Sequence, residues 1–161
     1  MTPAVPPTRK AGIDDVNSTG SPPYSERPSA PKAMSPASAR DRPPDAALRV
    51  LVVEDDAATL ATTLDMLQLL GHWATGVRSA EVARTRFLDG AFDVVMADIG
   101  LPALSGLDLV EDLLARHPVR VVFATGRPPP PRQIPGTVWL QKPFGLDALA
   151  SALQRICDSD A

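Results

Sequence analysis

Two valine-rich apolar runs, each closing on acidic residues, constrain this chain more than any other feature. The run RVLVV at residues 49–53 stops at Glu54, Asp55 and Asp56, and the run FDVVMA at 92–97 stops at Asp98. Continuous β-branched sequence without polar alternation suits a strand covered on both faces. Each run therefore predicts a buried strand with carboxylates at its C-terminal end.

The segments around these runs switch to a helical period. Leu60, Leu64 and Leu67 recur at helical spacing, with Asp56 placed to cap the start and Gly71 the end. Residues 72–77 predict a weaker second strand. Ser79 then caps a helix whose inward stripe is Val82, Ala83 and Phe87 and which ends near Asp89 and Gly90. Leu107, Val110, Leu113 and Leu114 mark a third helix that stops before Pro118. Residues 119–124 predict a fourth strand and 138–140 a short fifth; Leu146, Leu149, Leu153 and Ile156 form a closing amphipathic helix. Strand and helix alternate almost throughout, which predicts a parallel sheet with helices on both faces. In such folds ligands bind at the carboxyl ends of the strands, near a switch in strand order.

Composition locates the fold within the chain. Of 18 prolines in 161 residues, ten fall before Ala46, in a stretch rich in Ser, Thr and Ala that offers almost no periodic apolar residues. Residues 1–46 are expected to be a disordered tail and 47–161 to form one domain of common size. A formal net charge of −3 without a basic patch argues against direct nucleic-acid binding. The N-terminus lacks the apolar h-region of a signal peptide, and no run approaches the ~20 apolar residues of a membrane span. The single cysteine, Cys157, fits a reducing compartment, so the expected location is the cytoplasm.

Aligning the predicted strands puts Glu54 and Asp55, Asp98, Thr125 and Lys142 on one rim. Two carboxylates about 5 Å apart repel by roughly 3 kcal/mol at an effective dielectric of about 20, so three of them invite a hard cation, of which Mg²⁺ is the natural candidate. Asp98 could then act as a nucleophile toward a phosphoryl group, with the Lys142 ammonium and the Thr125 hydroxyl on its oxygens. Taken singly, each residue has an ordinary explanation. Asp56 is a helix cap, Asp98 a turn carboxylate, Lys142 a solvated lysine, and Trp139 a half-buried packing residue. His72 and His117 read as surface or packing residues, His117 also lying at a helix end where a cation favours the dipole.

Four blocks in order, VLVVEDD at 50–56, DIGLPALSG at 98–106, VVFATG at 121–126 and QKPFGLDAL at 141–149, resemble the receiver domains of bacterial response regulators. The resemblance runs from Arg49 to about Cys157. It implies a flavodoxin-like five-stranded sheet in the order 2-1-3-4-5. It makes Asp98 the phosphoacceptor and Asp55 the Mg²⁺ ligand, with Glu54 acting mainly through metal-bound water and Gly100 lending its backbone carbonyl. It further implies that Thr125 is the switch hydroxyl, Trp139 the switch aromatic, Lys142 the phosphate-binding lysine before a cis Pro143, and Pro102 and Gly106 the turn of the acceptor loop. Gly100 and Arg127, two residues beyond the acceptor and the switch hydroxyl, match positions that influence phosphoryl lifetime. The run Phe123 to Gly126 resembles the stand-alone branch known as FAT GUY.

The resemblance implies a partner that is a histidine kinase or phosphotransfer protein, an unspecified downstream protein, and no attached output domain. Enzymatic activity is expected only as self-catalysed phosphoryl transfer and autodephosphorylation. An aspartyl-phosphate phosphatase fits less well, because the second acid that chemistry uses two residues beyond the nucleophile is here Gly100. One departure from the family stands out. GRPPPPRQIPG, residues 126–136, has five prolines in eleven residues, so the helix usual between the fourth and fifth strands is expected to be missing or irregular. Eleven extended residues span ~35 Å, enough to return along the sheet. The four-proline run is expected to hold an extended polyproline II segment that a partner could grip. The alternative reading is accordingly a phosphorylation-independent binding module on the same fold, signalling through this loop or the tail.

Overall fold

The structure, a computed structural model, describes residues 46–87, 91–129, 131 and 134–159. The expected tail at 1–46 falls, but for residue 46, outside the described residues, and the described ones all belong to one compact unit.

Elements follow in the order β1 (Arg49–Val53), α1 (Ala57–Leu69), β2 (Trp73–Val77), α2 (Ala80–Arg86), β3 (Val94–Ala97), α3 (Gly106–Leu114), β4 (Arg120–Thr125), β5 (Thr137–Gln141) and α4 (Leu146–Asp158). The strands form one parallel sheet in the order β2-β1-β3-β4-β5. Alternation along β1 divides the interior into two cores. Leu51 and Val53 pack with Val95, Val121, Phe123 and the inner faces of α2 and α3, whereas Val50 and Val52 pack with Met96, Val122, Leu140 and the inner faces of α1 and α4. That two-sided burial is why β1 and β3 carry no polar alternation. Truncating a fully buried side chain such as Phe123 to alanine would cost about 3–5 kcal/mol.

Local chemistry fixes the helix ends. The Asp56 side chain caps α1 by accepting from the Thr59 N–H at 2.7 Å. Gly71, at φ +81°, ends it: its N–H donates to Gln68 O and that of His72 to Leu67 O, both at 2.9 Å. This is the paired bonding of a Schellman cap, in which glycine takes the left-handed position without a Cβ penalty.

In α2 the inward stripe differs from the expected one. Val82 is 38% exposed, and Ala80 with Ala83 and Phe87 faces the core. The spacing explains the difference, since positions three and four apart share a helix face while the residue next to Ala83 points about 100° away. The helix ends at Arg86; its expected end near Asp89 and Gly90 lies outside the described residues. In α3 Leu109 is fully buried beside Val110 and Leu113, and Leu107 and Leu114 are only half-buried. In α4 Leu146 is exposed and Ala152 completes the inward face.

Among the described residues no helix joins β4 to β5. The expected extended run falls partly outside the described residues, at residues 130, 132 and 133. Its last turn is defined: the Thr137 N–H donates to Ile134 O at 3.2 Å, across Pro135 and Gly136 at φ +75°. Proline followed by positive-φ glycine is the residue pair that a type II turn requires. Ile134, at the start of the turn, and Trp139 of β5 both pack on the core that contains Phe123, the Trp139 ring directly against that of Phe123.

Candidate functional site

Parallel strand order brings the C-terminal ends of β1, β3, β4 and β5 to one edge. Extensions of the ladder hold them there: the Glu54 N–H donates to Val77 O at 3.1 Å, that of Asp98 to Val53 O at 3.0 Å, and that of Lys142 to Thr125 O at 2.8 Å. At this edge Glu54, Asp55 and Asp98 each bring a carboxylate oxygen to within 4.8 Å of the others. Lys142 enters from β5. Its ammonium donates to Glu54 Oε2 and, at 3.0 Å, to Asp98 Oδ2.

The two bridged acids are otherwise held from the backbone. Glu54 Oε1 accepts from the Asp56 N–H at 3.2 Å, and Asp98 Oδ1 from the Gly100 N–H at 2.9 Å. Glu54 is buried at 5% exposure, whereas the Asp98 side chain keeps 15% and stays within reach of a reactant. Burial disfavours the Lys142 charge and is the largest single effect on it, but the hydrogen bonds and charges of Glu54 and Asp98 together outweigh burial and hold its pKa above 10.5. Asp56 is held below the ordinary carboxylate range, chiefly by the Thr59 N–H it accepts as helix cap. The Lys142–Pro143 peptide bond is cis, as expected.

The remaining expected residues lie beside this cluster. Thr125 ends β4 and is buried, its Oγ1 accepting from the Arg127 N–H at 3.3 Å. Trp139 pairs with Phe123 one strand over, further from the rim. Its ring leans on Phe123 at 5.5 Å between centroids, and Nε1 donates to Arg127 O at 3.0 Å. Gly106 is tightly constrained: a Cβ there would lie 2.0 Å from the Asp98 carbonyl oxygen, so the chain returning from the acceptor loop passes against the backbone of Asp98 itself. Between them Pro102 is exposed, and Ala103 takes a left-handed φ of +62°.

Several interactions escaped the sequence reading. Arg78, just after β2, donates from Nε and Nη2 to the Asp55 carbonyl at 3.1 and 2.8 Å. Glu81 Oε1 accepts from the Leu104 N–H at 3.1 Å. Both follow the C-terminal end of β2 on the functional edge, the position that located the other residues, although neither had been singled out. At the opposite edge Arg49 binds Asp93 through its side chain at 2.8 and 3.2 Å and through its N–H at 2.8 Å. His117 packs its ring on Phe87 at 5.0 Å, and His72 accepts from the Leu48 N–H, both in the packing roles expected.

Three carboxylates against one ammonium leave a formal charge of −2 at the edge, and all the offered donors are oxygen. That donor set fits a hard divalent cation. Among the described residues this is the one group of three or more acidic, histidine or cysteine side chains so placed, and no helix there is long and apolar enough to cross a membrane.

Comparison with known proteins agrees with this geometry. Residues 50–154 match the model of the response regulator receiver domain. The aerobic respiration control sensor protein ArcB of Escherichia coli is 33% identical over 91 residues, covering 56% of this chain and 12% of ArcB. The two-component response regulator PhoP of Pseudomonas aeruginosa is 34% identical over 82 residues, covering 49% of this chain and 36% of PhoP. The chain thus spans a small part of these relatives. A CheY-like receiver domain from Methylobacillus flagellatus, 30% identical, superposes with a TM-score of 0.60 over 69% of this chain and 99% of its own. With the sheet order, the acidic edge and the match over residues 50–154 in agreement, this chain belongs to the response regulator receiver domain family.

Proposed function

We propose that this receiver takes a phosphoryl group from a phosphohistidine donor onto Asp98 as one step of a two-component phosphorelay. The observation that carries the reading is the setting of Asp98, an accessible carboxylate held by Lys142 on one oxygen and the Gly100 N–H on the other, within a three-carboxylate edge. An oxygen of Asp98 attacks phosphorus, the donor's phosphorus–nitrogen bond breaks, and the imidazole leaves with its electron pair and takes up a proton.

Lys142 and the Thr125 hydroxyl, once released from Arg127, receive the phosphoryl oxygens. Asp55, Asp98 and the Gly100 carbonyl would hold Mg²⁺, with Glu54 acting through a bound water. The cation would neutralise charge on the phosphoryl oxygens and orient them for in-line displacement. Enzymatic activity is then confined to this self-catalysed transfer and to hydrolysis of the resulting acyl phosphate.

The donor we propose is a histidine kinase or phosphotransfer protein. An exposed groove beside Lys142, between Thr59, Thr62 and Met66 of α1 and Pro143 and Phe144, offers such a protein a resting surface. The acidic balance of the chain supports protein partners over nucleic acid, and its single cysteine a cytoplasmic site of action. The Phe123 to Gly126 run, and the absence of a helix among the described residues of the connection after it, support assignment to the FAT GUY branch.

The test is phosphotransfer profiling against purified histidine kinases with Mg²⁺, with Asp98→Asn as control. Label is expected on wild type and absent from Asp98→Asn; label that survives the substitution sinks the assignment. A partner that binds Asp98→Ala as tightly as wild type, whatever phosphodonor is supplied, would support the phosphorylation-independent module instead.

A further inference from the structure

The acidic edge is carried by two loops, residues 54–56 after β1 and 98–105 after β3. The sheet ladder reaches only their first residues, through the N–H groups of Glu54 and Asp98. Beyond that point, two side chains grip one loop each, Arg78 from the turn after β2 and Glu81 from the first turn of α2. Arg78 places two guanidinium donors on the Asp55 carbonyl, at 3.1 and 2.8 Å. Three residues on, Glu81 accepts the Leu104 N–H at 3.1 Å. Ser79 between them fixes their relation by capping α2, its side chain accepting from the Val82 N–H at 3.2 Å.

We infer that Arg78 and Glu81 are positioning residues for the acceptor site, Arg78 setting the peptide that carries Asp55 for the divalent cation and Glu81 setting the loop that leaves Asp98. Neither touches the reacting atoms. The forked guanidinium matters because its two rigidly spaced donors converge on one carbonyl oxygen, a geometry that the point-charge ammonium of lysine does not reproduce. On the other side, a carboxylate in the first turn of α2 lies where the helix dipole favours negative charge. Hydrogen bonds with its own backbone N–H and that of Leu104 hold its pKa below the usual range. The clamp binds the two loops to one short segment, residues 78–81 at the junction of β2 and α2, so that the metal-binding and the acceptor carboxylates are set by a common support. This inference rests on the acceptor-site reading above.

The experiment uses the full chain and two readouts independent of turnover. The first is the Mg²⁺ dissociation constant, from titration of the protein's amide resonances. The second is the exchange rate of the Leu104 amide in metal-free protein. Loss of an outer support of a metal site commonly weakens binding by ten-fold or more. Arg78→Ala is therefore expected to weaken Mg²⁺ binding by about ten-fold, and Arg78→Lys to restore little of it, while the midpoint of metal-free unfolding stays close to wild type. Glu81→Ala is expected to speed Leu104 exchange and slow phosphorylation by acetyl phosphate at saturating Mg²⁺, and Glu81→Gln, which keeps an oxygen acceptor, to rescue both. Unchanged Mg²⁺ affinity in Arg78→Ala overturns the role of Arg78. Glu81→Gln behaving like Glu81→Ala, or Glu81→Ala behaving like wild type, overturns that of Glu81. Failure of wild type itself to bind Mg²⁺ overturns the acceptor-site reading, and is distinguishable because it precedes any variant.

Discussion

Thr125 and Trp139 meet at opposite sides of one residue: the Thr125 hydroxyl accepts from the Arg127 N–H, and the Trp139 indole donates to the Arg127 carbonyl. Moving the hydroxyl toward a phosphoryl group would release the Arg127 N–H and disturb the indole's hydrogen bond. Trp73, 59% exposed, would mask the signal, so the measurement belongs in Trp73→Phe protein, where Trp139 is the single tryptophan and can be excited apart from tyrosine. Beryllofluoride with Mg²⁺ is expected to change Trp139 emission, and Thr125→Ala to abolish most of that change. An equal response in Thr125→Ala would show that the two residues are not linked through Arg127.

Lys142 keeps the acidic edge in place before any cation arrives. Lys142→Ala leaves three carboxylates within 4.8 Å of one another with no ammonium among them. The expected loss is about 2 kcal/mol, below the roughly 3–5 kcal/mol of a fully buried pair because the lysine side chain is 21% exposed. Mg²⁺ should return more stability to the variant than it adds to wild type, as urea unfolding with and without the metal would reveal. Since the folded pKa of Lys142 is raised, its contribution is fully present below 10.5 and is lost as pH rises through the folded value. The wild-type advantage should therefore be flat near neutral pH and shrink only above pH 10.5. An advantage that declines between roughly pH 7 and 9 would contradict this account.

Gly106→Ala tests how the acceptor loop closes. A methyl group 2.0 Å from the Asp98 carbonyl oxygen has no space, and the obstacle is backbone, so relief requires moving the acceptor itself. The expected cost is about 3 kcal/mol or more, with phosphorylation of Asp98 slowed even where the fold survives. Gly126→Ala meets nothing within 4 Å and serves as a near-neutral control. Ala103→Gly should act in the opposite sense, relieving about 1 kcal/mol from the left-handed residue of the same loop. Thermal unfolding of the three variants separates these outcomes.

The strand ends were legible because each site carboxylate follows directly on an apolar run: Val53 precedes Glu54 and Asp55, and Ala97 precedes Asp98. Which acids Lys142 would bridge was not legible. That depends on side-chain reach across β3 and β4, and the structure directs the ammonium to Glu54 as well as Asp98. The proline run argued against a helix after β4 through missing N–H donors and fixed φ, and the described residues there form none. It did not announce that Ile134 would join Trp139 of β5 on the core that contains Phe123, because an isolated isoleucine in a proline-rich loop belongs to no helical or strand period. Arg78 and Glu81 were hidden for another reason: the end of β2 at Val77 was legible, but which loops an arginine and a glutamate beyond it would reach depends on side-chain reach to Asp55 and Leu104.

His72 supplies a pH dependence at the end of the sheet remote from Asp98. Its Nδ1 accepts from the Leu48 N–H at 3.2 Å, which requires that nitrogen to be unprotonated, and Trp73 N–H donates back to Leu48 O at 2.7 Å, so both bonds stitch β2 to β1. Burial pushes the His72 pKa below its ordinary 6.5. The unfolded chain therefore binds the proton first, and the stability contributed by neutral His72 is present above pH 6.5 and lost as pH falls through the folded value. His72→Asn is the informative change, because Asn Oδ1 can occupy the place of Nδ1 and accept the same N–H without titrating. At neutral pH the variant should lie within about 1 kcal/mol of wild type. Below pH 6.5 wild type should lose stability faster than the variant in urea unfolding. Parallel pH curves for the two proteins would remove His72 from the account.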